Sequence, residues 1–162
     1  MKSALTFAVV VAGLAFGSEV SAQSGDPVAK ADVPASERMA FEVGTHAFER
    51  MGDLIAPNKK LMLLLVAKQR ASATVCEGFD VDEALFTAVM SDALSEVLGL
   101  VGEGQNNLPL DTVMLNYGIM VGGELALAAY DPDAYCAAAA ELRKEFQEEE
   151  GGDKLNVLKP TN

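Results

Sequence analysis

Residues 111–129 are the stretch around which the rest of the chain has to be arranged. They hold Val113, Met114, Leu115, Tyr117, Ile119, Met120, Val121, Leu125 and Leu127, and Glu124 is the one charge inside the run. A helix apolar on nearly every side belongs either at the centre of a soluble core or across a bilayer. This run falls short of the roughly 20 apolar residues a span needs. It also carries Asp111, Asn116 and Glu124. The expectation is a central core helix. Gly118 and Gly122 form a small-xxx-small pair, a spacing that lets another helix approach closely.

The N-terminus reads as an address rather than as part of the fold. Lys2 supplies one positive charge, residues 4–17 are uncharged and apolar, and residues 18–22 are polar or small, ending in Ala22. These are the three regions of a secretory signal peptide. Residues 1–22 are therefore read as cleaved. The exported part then begins at Gln23, is periplasmic or secreted, and is not an integral membrane protein. Export changes the meaning of the two cysteines, Cys76 and Cys136. In an oxidising compartment they are expected to bridge. Closing a loop of that size stabilises a fold by about 4 kcal/mol in the chain-entropy view.

Helical spacing continues along the exported chain. Residues 23–35 contain Gly and two Pro and read as a flexible leader. Ser36 is placed to cap a helix over 36–54, which Pro57 and Asn58 interrupt. In residues 59–72, the run 61–67 is continuously apolar. Periodicity cannot tell a buried strand from a buried helix there, but its unbranched Leu and Met favour helix. Asp80, with Glu83 three residues on, predicts a capped helix over 80–98. Gly99, Gly102 and Gly104 mark its end. Asp131 followed by Pro132 starts a last helix over 132–150, with Tyr135, Ala139, Leu142 and Phe146 on its inner stripe. Residues 151–162 read as a flexible tail. The fold class expected is all-α: one helical domain over 36–150, a bundle of four to five helices with one disulfide.

Composition narrows the functions open to such a chain. Half the residues are hydrophobic, and 12 Lys and Arg face 24 Asp and Glu, for a net charge of −12. Enough apolar material is present to build a core. An acidic body repels phosphate, so nucleic acid is not an expected partner. Two cysteines cannot make a multi-cysteine zinc module. The sequence has no G-x-S-x-G, no C-x-x-C-H and no phosphate-binding glycine loop followed by Lys and Ser or Thr. No cofactor is expected.

Three constellations remain to be placed. Glu42, His46, Glu49 and Asp53 fall along one helix face, where imidazole and carboxylate could hold zinc or iron. A di-iron bundle would need a second histidine, and His46 is the only one. Met114, Tyr117 and Met120 could line a pocket for an apolar ligand. Glu77, Asp80, Asp82, Glu83 and Glu103 lie in or near loops, where paired carboxylates could hydrolyse a glycan.

Cys76-Glu77-Gly78-Phe79 opening a helix, with Cys136 late in the chain after an apolar helix, resembles the small periplasmic acid-stress chaperones over residues 74–146. The resemblance implies an exported helical protein with one disulfide that holds unfolding clients at low pH. This chain departs from that pattern in its added N-terminal helical pair, its wider cysteine gap and its greater acidity. The expectation is an exported, non-enzymatic binding or interaction protein of the bacterial cell envelope, holding a protein or a small apolar ligand. The alternative is a small hydrolase of a cell-wall polymer acting through paired carboxylates.

Overall fold

The computed structural model describes residues 35–100 and 107–161. Among these, the regular elements are α1 (Ala35–Arg50), α2 (Pro57–Val75), β1 (Phe79–Val81), α3 (Glu83–Ala93), α4 (Ser95–Leu98), α5 (Leu108–Tyr130), α6 (Pro132–Glu148) and β2 (Leu158–Pro160). The chain is all-α with one disulfide, and the only sheet among the described residues is a pair of three-residue strands. Residues 1–22, expected to be a signal peptide, and nearly all of the expected leader lie outside the described residues. The described residues belong to one compact unit, 33–162.

The ambiguous run 61–67 is the middle of α2, and α2 is the hub. It packs on α5, α3, α6 and both strands. Leu63, Val66, Ala67 and Ala71 are buried on it. The first three, with Ala47, Met51, Ile55, Val89, Ala93, Val97, Val113 and Met120, form most of the main core. Burying each larger aliphatic side chain stabilises the fold by about 1.5–3 kcal/mol. α5 lies along α1 and α2, as a helix of its composition requires.

Helix starts differ from expectation in an instructive way. Pro57 does not separate two elements; it is the first residue of α2, where a missing N–H costs nothing. The last N–H before it, on Ala56, donates to Glu96 Oε2 at 2.8 Å. This puts a carboxylate at the positive end of the helix dipole. Likewise α5 begins at Leu108 with Pro109 in its first turn, three residues before the expected start. Ser36, expected as a cap, is already inside α1. The cap of α3 is Asp82, whose Oδ1 accepts from Leu85 N at 3.0 Å, not Asp80. Asp80 lies in β1 instead. The expected helix over 80–98 breaks at Leu94 into α3 and α4. Asp131 does cap α6, accepting from Ala134 N at 3.1 Å, with Pro132 at the first position.

The segment read as a flexible tail is folded. Gly151 turns the chain with φ of 84°. Gly152 is so tightly packed that a Cβ there would overlap the Phe146 carbonyl. The chain then returns as β2, antiparallel to β1, with Val81 opposite Leu158 and Phe79 opposite Pro160. What holds it is Gln69, a fully buried side chain of α2. Its Nε2 donates to the Leu155 carbonyl at 2.9 Å, and its Oε1 accepts from Leu158 N at 3.1 Å. One amide thus stands in for a strand neighbour. Nearby, Cys76 at the end of α2 is bonded to Cys136 on α6, with Cα atoms 5.5 Å apart. Ala71, Ala128 and Tyr135 pack around that bond as a second, smaller core.

Two outcomes follow. Gln69→Leu strands a carbonyl and an N–H in the interior at about 1–3 kcal/mol each; urea denaturation should show a loss of about 2–5 kcal/mol, and a loss below about 1 kcal/mol would contradict the bracket. Replacing Cys76 and Cys136 together by Ala should lower the unfolding free energy by about 4 kcal/mol, read in the same assay.

Candidate interaction site

The outer face of α5 is the most unusual surface of the molecule. The helix runs 23 residues without a Lys or Arg, about 34 Å at 1.5 Å per residue. That length would suffice to cross a bilayer, so the expected argument from shortness does not hold. Its inner residues Val113, Asn116, Tyr117, Met120 and Ala128 are buried against the rest of the fold. Its opposite side presents Leu115, Gly118, Gly122, Ala126 and Ala129 to solvent. Leu115 is 66% exposed and Met114 beside this stripe 40%. A soluble helix ordinarily places charges there.

The glycines of α5 have different explanations. A Cβ at Gly123 would meet Val43 Cγ1 at 3.2 Å, so this glycine lets α1 come close. A Cβ at Gly118 or Gly122 would meet nothing within 4 Å. Each glycine in a helix interior costs about 0.5–1 kcal/mol relative to alanine. Nothing within the described fold offsets that cost at Gly118 and Gly122. The small-xxx-small pair expected to admit a helix faces outward.

Charge is also unevenly placed. Between Arg70 and Arg143 the sequence contains no Lys, Arg or His, yet this span carries 12 Asp and Glu, the same magnitude as the whole net charge of −12. Some of these carboxylates are used inside the fold. Lys59 on α2 pairs with Asp92 at 2.6 Å, and Arg70 pairs with Glu83 at 3.0 Å while lying over the Phe86 ring. Asp82 and Asp131 cap helices. Asp111 and Asp133, one near each end of α5, are exposed and make no ion pair among the described residues.

The other candidate residues are not brought together. His46 Nδ1 lies 3.8 Å from Glu49, both side chains mostly in solvent, and Glu42 is exposed on the same helix. No group of three or more His, Cys, Asp or Glu among the described residues is arranged to hold a metal. Met120 and Tyr117 belong to the main core while Met114 is on the surface, so the three share no pocket wall. The Tyr117 hydroxyl is buried without a hydrogen-bond partner among the described residues. Of the loop carboxylates, Asp80 accepts from Val81 N, Asp82 caps α3, and Glu83 pairs with Arg70. Glu77 is exposed, and Glu103 lies outside the described residues.

Sequence reasoning missed a buried polar cluster where α2, α5 and α6 meet. The Tyr135 hydroxyl donates to Glu124 Oε2 at 3.0 Å, with the Lys68 carbonyl 3.3 Å away as an alternative acceptor. Burial pushes the Glu124 carboxyl above its ordinary range; the Lys68 ammonium and the Tyr135 hydroxyl oppose this without cancelling it. Tyr135 is raised too, by burial and then by the Glu124 charge. A carboxyl raised in the native state takes up its proton before the unfolded chain does. Its contribution to stability therefore grows as pH falls through the native titration and is complete below the ordinary value of 4.5. Such a group tightens the fold on acidification rather than opening it. The one available signal was Glu124 itself, a lone charge in an apolar helix.

No family model, no curated protein and no solved structure matches the chain.

Glu124→Gln keeps an acceptor for Tyr135 and removes the charge. The variant should be more stable than the parent at neutral pH, and the difference should shrink as pH falls towards 4.5. Denaturant midpoints measured across pH check the sign; a gap that widens in acid would refute it.

Proposed function

We propose that the chain is an exported, non-enzymatic interaction protein that binds another protein through the outer face of α5. One observation carries this reading: between Leu115 and Ala129 the outer stripe of α5 is apolar and uncharged, and it holds two glycines whose absent side chains no packing among the described residues requires. Exposed apolar faces of this kind mark binding surfaces on soluble proteins. Glycine spaced by four is what a closely crossing helix needs. Export is supported by the pattern of residues 1–22. A disulfide suits an oxidising compartment such as the bacterial envelope.

The glycines give a test in which stability and function move apart. Gly118→Ala with Gly122→Ala should stabilise the fold by about 1–2 kcal/mol, since alanine is the better helix former. A photoreactive side chain at Leu115 should give a discrete adduct in cells exporting the chain. The same probe at Glu145, exposed on α6, should not. Introducing Gly118→Leu with Gly122→Leu should remove the Leu115 adduct. No adduct from Leu115, or one that the leucines leave intact, would refute the reading.

A further inference from the structure

Resting on that reading, we propose that the partner docks on α5 as an apolar helix with small residues along its middle and lysine or arginine at its ends. The helical form comes from the open glycines. Gly118 and Gly122 leave the α5 backbone accessible at mid-length, and two helix backbones meet closely only where side chains are small on both. Leu115 and Met114 stand beside that point and supply apolar contact to either side of the crossing.

The basic ends come from charge. Asp111 in the first turn of α5, and Asp131 and Asp133 just after its last residue, are exposed. Residues 71–142 contain no Lys, Arg or His, and none of the three aspartates forms an ion pair among the described residues. A partner helix lying along the stripe passes from one acidic end to the other. Lysine or arginine at its ends is attracted there, whereas acidic ends are repelled. The same argument disfavours a second copy of this chain. Antiparallel α5 helices would set Asp111 against Asp131 and Asp133, and parallel ones would set Asp111 against Asp111. Steering by the anionic span also speeds encounter with a basic-ended partner at low salt.

The test uses two synthetic helical peptides with the same apolar centre, alanine at every fourth position of one face, and either lysines or glutamates at both ends. Binding to the purified chain is followed by fluorescence anisotropy. The lysine-ended peptide should bind at least about tenfold more tightly, and the advantage should fall as salt rises. Gly118→Leu with Gly122→Leu should abolish binding of both. Asp111→Lys with Asp133→Lys should reverse the preference. Should that variant unfold, Asp111→Asn with Asp133→Asn should erase it instead. Equal affinity for the two peptides, or a preference that these substitutions leave unmoved, overturns the basic-ended partner while leaving a docking face on α5 intact. A Leu115 adduct in cells alongside no binding of either peptide overturns it as well. Sedimentation showing a dimer that the glycine-to-leucine pair dissociates would make a second copy the occupant, contrary to the proposal.

Discussion

The bond between Cys76 and Cys136 joins the end of the hub helix to the first turns of α6, and much of the molecule is organised by what that junction holds still. α2 packs on α3, α5, α6 and both strands. Its N-terminal end is fixed by Glu96 and its C-terminal end by the disulfide. Between them, one side faces the main core and the other end meets the smaller core around Tyr135. Because α5 and α6 are joined by a single residue, Asp131, constraining α6 also constrains where α5 ends. The outer stripe of α5 is therefore presented by a helix held from behind along α1 and α2 and at its end by a covalent link.

Electrostatics divides the chain into two kinds of segment. Residues up to Arg70 and from Arg143 onward mix both signs, while the span between is purely acidic. Lys59 and Arg70 of α2 reach across to Asp92 and Glu83 and attach α3 to the hub. These pairs are partly exposed, so each contributes at most about 1 kcal/mol. Their larger effect is on orientation: Arg70 also lies over Phe86 at 5.6 Å, which sets how α3 leans. Lys60 makes a similar contact with Phe48 at 4.8 Å. Lys59, Lys60 and Arg70 of α2 are thus engaged by partners within the fold.

Helix content and the cysteine pairing were legible from residue spacing because they depend on patterns that local physics dictates, whereas the helix expected at the centre of the core, α5, is buried along one side only and α2 takes the central place. Boundaries were less so. The proline at 132 was read as a helix start and the one at 57 as an interruption, although both occupy the same helical position. Only the tertiary position of Ile55 and Ala56 decides between the two. The strand pair was illegible for a different reason. Phe79–Val81 and Leu158–Pro160 are three residues each, too short to show alternation, and their pairing depends on Gln69, which in sequence looks like one more polar residue between Lys68 and Arg70. The outward glycines were noticed as a pair, but which way they point is a property of the packed molecule. The constellation at His46 failed for the opposite reason: the spacing is right for a shared face, and that face is simply wet.

Gln69 carries a consequence for how the molecule is made. Its two partners lie 86 and 89 residues further along the chain. A ribosome would release α2 long before Leu155 and Leu158 exist, so the amide at the heart of the hub stays unanswered during most of synthesis. The interior therefore closes late, when the final stretch swings back across the surface.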